Sequence, residues 1–113
     1  METKRPDAPV LAKSDSPQRI ASLQVVAHGK EQLAQKQYES ALQLFQEACT
    51  LDGSNGIAYY YLARTHYALG NYTQAGGLLD RAETLLGDSD NWIASIHALR
   101  EAMQAATVKS TGV

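Results

Sequence analysis

Apolar residues recur every three or four positions along most of the chain. Between residues 38 and 51 they occupy one helical face, at Tyr38, Ala41, Leu42, Phe45, Ala48 and Cys49. A second stripe of the same spacing lies between residues 72 and 86, at Tyr72, Ala75, Leu79, Ala82 and Leu86. Such spacing predicts amphipathic helices, and no window shows the alternation of a half-buried strand. The pattern therefore predicts an all-α fold.

Short polar or glycine-containing breaks divide the chain into five predicted helices. We place these helices at about residues 17–35, 38–51, 56–69, 72–86 and 90–107. Ser16 before Pro17 is typical of an N-cap followed by the first helical position. Asn71 is the expected N-cap of the fourth helix, with Gln74 in the capping-box position. Gly53 is expected to end the second helix in a left-handed conformation.

The two ends of the chain lie outside this helical pattern, which makes residues 17–108 the predicted domain. Residues 1–16 are polar, mixed in charge and contain two prolines, so we expect a flexible leader. They contain no apolar stretch of the kind that a signal peptide requires. Residues 109–113 continue no apolar stripe and are expected to be a frayed tail.

The chain contains an internal sequence repeat. Shifting residues 22–55 onto residues 56–89 aligns eight identical pairs: Ala34/Ala68, Tyr38/Tyr72, Ala41/Ala75, Leu44/Leu78, Ala48/Ala82, Thr50/Thr84, Leu51/Leu85 and Gly53/Gly87. A helix–turn–helix unit of this length is typical of tetratricopeptide repeats, and the chain resembles that family. The residues that carry the resemblance are Gly29, Tyr38, Ala41, Phe45 and Ala48 in the first unit and Ala63, Tyr72, Ala75, Leu79 and Ala82 in the second. Glycines stand after the second helices, where the family has proline.

The resemblance implies a helical solenoid of two repeats, about residues 22–55 and 56–89, closed by a capping helix at about 90–107. Trp92 and Ile96 would cover the apolar face that the second repeat leaves open. His97 stands where the repeats have Gly29 and Ala63, and it is too large for a close helix contact. Since such arrays usually need three or more units, we expect the cap to be essential for stability.

The charge pattern disfavours nucleic acids and anionic membrane surfaces as partners, and the hydropathy pattern predicts no membrane span. The formal net charge is −2, and residues 20–108 contain five Lys and Arg against nine Asp and Glu, a net of −4. Nucleic-acid binding needs a basic face, which this pattern lacks, and an anionic membrane surface is disfavoured for the same reason. No apolar run approaches the roughly 18 residues of a membrane span.

The resemblance also implies a binding surface, because the first helices of such repeats line a concave groove that takes peptides. It assigns to that groove Leu23, Val26, Lys30, Leu33, Ala34, Ile57, Tyr60, Arg64, Tyr67 and Ala68. Lys30 and Arg64 occupy equivalent positions of the two repeats and should lie side by side, as a receptor for a carboxylate. The alternative is that they are ordinary solvated charges or pair with Glu31 and Glu101. Tyr60 and Tyr67 are interface anchors or packing residues.

Catalysis and cofactor binding are not expected. His28, His66 and His97 fall on three different helices without metal-ligand spacing, and no phosphate-binding or nucleophile motif occurs. Cys49 is alone and lies in an apolar pattern, so we interpret it as a core residue. An unpaired cysteine slightly favours a reducing cytoplasm, although a trimmed periplasmic or lipoprotein precursor would look the same.

The leading hypothesis is a non-catalytic adaptor that binds a protein or peptide segment, with a carboxylate as one of its contacts. The alternative is a structural module that acts by self-association or by docking in a larger assembly. Gly76 and Gly77, inside the fourth helix, motivate that alternative as an exposed backbone surface. Two other interpretations of these glycines are close packing against the fifth helix, making room for Trp92, and local softness.

Overall fold

The structure, a computed structural model, describes residues 16–111 and side chains as far as Thr107. It contains five α-helices: α1 (Pro17–Ala34), α2 (Tyr38–Leu51), α3 (Gly56–Ala68), α4 (Tyr72–Leu86) and α5 (Asp90–Thr111). Residues 16–111 include no strand, and the predicted all-α fold of five helices is confirmed. The fifth helix continues to Thr111 instead of ending near Thr107. The expected leader, apart from Ser16, lies outside the described residues.

The helices pack as a two-layered array. Within each repeat the two helices lie against each other, α1 on α2 and α3 on α4. The α2–α3 contact joins the repeats, and α4 packs on α5. Helix α3 also contacts both α1 and α5. Helices α1, α3 and α5 therefore form one layer, and α2 and α4 form the other, as in a helical solenoid.

The turn inside each repeat uses the same backbone conformation. Lys36 and Gly70, which occupy equivalent positions of the two repeats, have φ angles of 62° and 82° and are the two left-handed residues within 16–111. The prediction that Gly53 adopts this conformation is wrong. Helix α2 ends at Leu51, and its C-cap residue Asp52 is extended (φ −148°, ψ 98°) and accepts a hydrogen bond on Oδ1 from the Ser54 backbone N–H at 3.0 Å.

The helix N-termini differ in how they are capped. Ser16 caps α1 as predicted, because its Oγ accepts from the Arg19 backbone N–H at 3.1 Å. Asn55 caps α3 through Oδ1, which accepts from the backbone N–H groups of the second and third helical residues. Asn71 forms no such bond at the start of α4, so the predicted capping box is wrong. Its amide lies 3.2 Å from Nδ1 of His66 instead.

Two apolar clusters form the core. The first consists of Val26, Ala41, Phe45, Ala48, Ala58 and Leu62, and the second of Tyr60, Ala63, Leu79, Ala82, Ile96 and Leu99. The small residues of the repeat pattern, Gly29, Ala41, Ala48, Ala63, Ala75 and Ala82, are all buried. A Cβ on Gly29 would lie 2.5 Å from Cε1 of the Phe45 ring. That close approach explains the glycine, since a packed core leaves no room for an added methyl group.

The capping helix covers the second repeat with its first half. Ile96 is fully buried. The half-buried Trp92 lies edge to face with Tyr60 and Tyr61, with ring centroids 5.2 Å and 6.0 Å apart. The prediction that Gly76 and Gly77 pack closely to make room for Trp92 is wrong. A Cβ on Gly76 would meet only Met103, at 3.9 Å, and a Cβ on Gly77 would meet nothing within 4 Å.

A buried polar network, which the sequence pattern did not predict, joins α1 and α2 to the N-cap residue of α3. Ser22 Oγ donates to the Ala48 carbonyl at 2.7 Å and accepts from Asn55 Nδ2 at 2.8 Å. Both side chains are fully buried. An ion pair lies near this network, with Arg19 Nε 2.9 Å from Asp52 Oδ2.

Candidate functional site: the groove of α1, α3 and α5

An open groove of about 520 Å³ runs over the layer formed by α1, α3 and α5. Its lining is contributed by α1, α3, α5 and the start of α2: Leu33, Ala34, Lys36, Tyr38, Tyr60, Arg64, Tyr67, Ala68, Ser95, Ala98, Leu99 and Ala102. A smaller hollow of about 220 Å³ shares Leu33, Ala34 and Arg64 with it and adds Lys30 and Tyr61. We call these two spaces together the α1–α3–α5 groove.

The two cations expected in the groove converge on one aromatic ring. Lys30 Nζ lies 5.3 Å from the centroid of the Tyr61 ring, and Arg64 Cζ lies 5.6 Å from the same centroid. Arg64 also lies 6.0 Å from the Tyr60 centroid. These distances fall within the roughly 6 Å over which a ring face attracts a cation. Both cations therefore lie within cation–π distance of the same ring.

Neither cation is neutralised by a carboxylate of the described part of the chain. The ion pairs among the side chains of residues 16–107 involve Arg19 and Arg100, and none involves Lys30 or Arg64. The expected alternative pairing with Glu31 and Glu101 is thus wrong. The lining of the groove contains Lys30, Lys36 and Arg64 but no Asp or Glu. It forms a cationic strip on a domain that is acidic in total.

Tyr60 and Tyr67 both line the groove, as their spacing on one helix predicted. Tyr60 is only 7% exposed and forms part of the second core cluster. Burial raises the pKa of its hydroxyl, and the neighbouring Arg64 charge acts in the opposite direction. Tyr67 is half-buried, with its ring 5.7 Å from that of Tyr72. Tyr60 therefore forms part of the buried base of the groove, and Tyr67 exposes more of its surface to a bound segment.

Three of the residues expected in the groove lie elsewhere. Val26 is a core residue, 4% exposed. Ile57 is half-buried against the first core cluster and does not line the groove. Leu23 is exposed on α1 but is not part of the lining. Leu33 lines the groove as expected.

The contribution of α5 to the groove was missed by the sequence analysis. The register that aligns His97 with Gly29 and Ala63 also gives the α5 positions that line the groove. Ala98 lies one period after Arg64, and Ala102 lies one period after Ala68. Ser95 stands in the same relation to Tyr61. The register thus identifies α5 as the third wall of the groove as well as a cap.

A second cavity, of about 550 Å³, lies between α4 and α5, lined by Tyr72, Thr73, Arg100, Met103, Gln104 and Thr107. Its charged residue, Arg100, is paired with Asp80 at 2.8 Å and with Glu83. This cavity offers no uncompensated charge to a ligand. The α1–α3–α5 groove differs in this respect, which makes it the stronger candidate site.

The described residues were also compared with the requirements of a reactive thiol, a metal site and a membrane span. Cys49 is half-buried, and burial raises the pKa of its thiol to about 11. No group of three His, Cys, Asp or Glu side chains among those described is arranged to hold a metal ion. None of the described helices combines the length and apolar character that crossing a membrane requires.

Comparison with protein families decides the assignment of the fold. The family model described as tetratricopeptide repeat matches residues 32–100, which is more than half of the chain. The chain belongs to the tetratricopeptide repeat family. The match extends into α5, in agreement with a register that treats α5 as the first helix of a third unit. Searches of curated proteins and of solved structures gave no match.

Tetratricopeptide repeats generally mediate protein–protein interactions and are typically non-catalytic. Membership therefore gives a general class of function, binding to another protein. The partner and the surface it uses depend on the individual side chains, because one fold hosts many specificities.

Proposed function

We propose that the protein is a non-catalytic adaptor whose α1–α3–α5 groove binds a protein segment that carries a carboxylate. In this proposal Lys30 and Arg64 contact the carboxylate, and Leu33, Tyr60 and Tyr67 contact apolar parts of the segment. A guanidinium and an ammonium group together suit a carboxylate, whether it is a chain terminus or an Asp or Glu side chain.

One observation carries the proposal. Two cations from neighbouring helices lie over one ring in a groove whose lining has no Asp or Glu, and neither forms an ion pair within residues 16–107. Most exposed charges on this domain are negative, so a groove of the opposite sign selects acidic segments from a mixture. The same polarity makes the association faster at low salt.

The test is a selection of displayed peptides on the immobilised wild-type protein, with the Lys30→Glu/Arg64→Glu variant as a counter-screen. We expect enrichment of peptides with Asp, Glu or a free C-terminus, and loss of these peptides on the variant. Enriched peptides are then synthesised with amidated C-termini and with Gln or Asn in place of Glu or Asp. These two replacements distinguish a terminal carboxylate from a side-chain carboxylate.

A matched control is available on the neighbouring helix. Arg81 lies 5.6 Å from the centroid of the Tyr59 ring, which resembles the environment of Arg64, but it does not line the groove. Arg81→Glu and Arg64→Glu change the net charge equally. The proposal requires that Arg64→Glu weakens binding at least about tenfold, the effect of losing a charge-assisted contact of roughly 1.5 kcal/mol, while Arg81→Glu leaves it nearly unchanged. Equal losses in both variants would contradict it.

Self-association is the second candidate function, and the exposed backbone at Gly77 of α4, where an added Cβ would meet nothing within 4 Å, favours it. It predicts a molar mass that rises with protein concentration and that Lys30→Glu/Arg64→Glu does not change. Sedimentation equilibrium measures this directly. A monomer at all concentrations, together with carboxylate-dependent peptide binding, supports the adaptor over the assembly module.

A further inference from the structure

Tyr61 is the one residue that both groove cations share. It lies on α3, half-buried, with Lys30 of α1 at 5.3 Å and Arg64 of α3 at 5.6 Å from its ring centroid. Two like charges repel each other, and these two have no carboxylate of the described residues to hold them together. An aromatic ring carries negative charge on its face and attracts both.

The ring itself is held rigidly by the core. Tyr61 stacks on the fully buried Phe45, with centroids 5.6 Å apart and an interplanar angle of 20°. The rings of Tyr60 and Trp92 also lie edge to face with that of Tyr61, with centroid distances of 5.1 Å and 6.0 Å. The three neighbours come from α2, α3 and α5. The position of the ring is therefore fixed by the first repeat and the cap together.

A fixed ring under two flexible side chains has a consequence for binding. Ordering a long side chain at an interface costs conformational entropy, which lowers the affinity. Lys30 and Arg64 are both exposed and have long side chains, so each would bear this cost when a ligand binds. Attraction to the ring restricts them before the ligand arrives, which lowers the cost.

We propose that Tyr61 is the positioning residue of the groove: its ring holds Lys30 and Arg64 over the binding surface and so raises the affinity for an acidic segment. The effect on affinity rests on the proposed function. The positioning itself does not, because it is a property of the free protein. The Tyr61 hydroxyl forms no hydrogen bond with residues 16–107, so the ring and not the hydroxyl is the active element.

The positioning is measured in the free protein by NMR. A ring face shields protons that lie over it, so the side-chain methylene protons of Lys30 and Arg64 should be shifted upfield. We expect both shifts to persist in Tyr61→Phe. In Tyr61→Leu the Lys30 shift should disappear and the Arg64 shift should decrease, because the Tyr60 ring remains 6.0 Å from Arg64. Identical methylene shifts in the wild type and Tyr61→Leu would overturn the proposal, whatever the groove binds.

The effect on affinity is measured with phenylalanine analogues of increasing fluorination at position 61. Fluorination removes the negative charge of the ring face with little change in volume, so a purely structural role would not follow the series. The probe is fluorescein-labelled hexaglutamate with a free C-terminus, and C-terminally amidated hexaglutamine with the same label, whose peptide has no carboxylate, is its control. We expect the Kd for hexaglutamate to rise stepwise, by roughly threefold to tenfold from phenylalanine to the pentafluoro analogue.

The two proposals fail in different ways. If hexaglutamate does not bind the wild-type protein, the proposed function is wrong, and the methylene shifts alone decide whether Tyr61 positions the cations. If hexaglutamate binds equally well across the fluorinated series, the proposed function stands and the role of Tyr61 is wrong. Thermal melts of each analogue check that the fold is retained. If Tyr61→Leu does not fold, the fluorinated analogues still test the role of the ring.

Discussion

The α1–α2 interface and the α4–α5 interface both contain glycine, and the glycines have opposite surroundings. At Gly29 of α1 an added Cβ would lie 2.5 Å from the Phe45 ring, which is fully buried. At Gly76 of α4 an added Cβ would meet only the end of the Met103 side chain of α5, at 3.9 Å, and at the exposed Gly77 it would meet nothing within 4 Å. The first glycine allows two helices to close on each other. The two glycines of α4 have no such close neighbour, and α5 has no paired helix after it among the described residues.

The α4–α5 interface is nevertheless held firmly over part of its length. Trp92 and Ile96 pack in the first half of α5, and Arg100 pairs with Asp80 and Glu83 of α4. Beyond Arg100 the two helices leave the cavity that Met103 lines. A glycine in a repeat therefore indicates close packing only where a neighbour fills the space.

Trp92→Ala tests whether the cap is essential. Trp92 contacts the rings of Tyr60 and Tyr61 and joins the second core cluster to α5. Large-to-small changes of this kind cost about 3–5 kcal/mol. Because Trp92 is only half-buried, we expect the free energy of unfolding to fall by about 3 kcal/mol, the lower end of that range.

Urea unfolding followed by circular dichroism measures the effect. His97→Ala is the matched control, because His97 lies on the exposed side of the same helix. It should change the free energy of unfolding by less than about 0.5 kcal/mol, as surface substitutions usually do. If Trp92→Ala were as mild as His97→Ala, the cap would not contribute to the stability of the repeats.

Gly29→Ala tests the closed interface. Overpacking costs about 1–3 kcal/mol, and replacing a helical glycine with alanine returns about 1 kcal/mol. Since the clash is with a buried ring and not with the end of a flexible chain, we expect a net loss of about 1–2 kcal/mol. Phe45→Leu in the Gly29→Ala background should relieve the clash.

A double-mutant cycle reads the coupling between these two positions. Gly29→Ala should cost less in the Phe45→Leu background than in the wild type, with a coupling of at least about 0.5 kcal/mol. Additive changes would show that the ring of Phe45 is not what excludes a side chain at Gly29.

Asn55→Ala and Asn71→Ala compare a helix cap with a residue that only resembles one. Asn55 caps α3 and donates to Ser22 inside the core, so its loss leaves a buried hydroxyl without that partner. We expect a loss of about 1–2 kcal/mol for Asn55→Ala, the size of a cap. Asn71 makes no cap hydrogen bond, so Asn71→Ala should cost less than about 0.5 kcal/mol. Thermal melts separate the two, and similar losses would contradict the assignment.

The sequence predicted the fold well because the information is periodic. Helix positions, the internal repeat and the small buried residues such as Ala41 and Ala75 all follow from spacing alone. Two details did not follow from it. Asn71 satisfies the capping pattern, but its side chain bonds to His66, and Gly53 occupies the breaking position without adopting a positive φ. Such local choices depend on competing partners that a pattern cannot rank.

The candidate site was predictable in part. Lys30 and Arg64 follow from the repeat register. Ala98 and Ala102 of α5 follow from the same register, which the sequence analysis applied to α5 only at His97. Tyr61 could not be found in this way, because the first repeat has Ala27 at that position. Its importance arises from three-dimensional neighbours on α1, α2 and α5.

Gly77→Ala tests the glycine of α4 that has no close neighbour, and it has the smallest expected effect. The position is exposed, and an added Cβ has no neighbour within 4 Å, so the helix gains alanine's propensity without a clash. We expect the free energy of unfolding to rise by up to about 1 kcal/mol, opposite in sign to Gly29→Ala. Gly76→Ala should also stabilise, because its nearest neighbour would be the flexible end of Met103 at 3.9 Å.

The same variants bear on the choice between the two functions. If the bare backbone at Gly76 and Gly77 were a contact between copies, alanine there would weaken self-association while still favouring the isolated helix. Sedimentation equilibrium of Gly77→Ala and urea unfolding of the same sample therefore report on different properties. A gain in stability with no change in molar mass would mean that the glycines are not an assembly surface. A loss of stability would mean that something occupies the open space beside α4, which would overturn the comparison between the two interfaces.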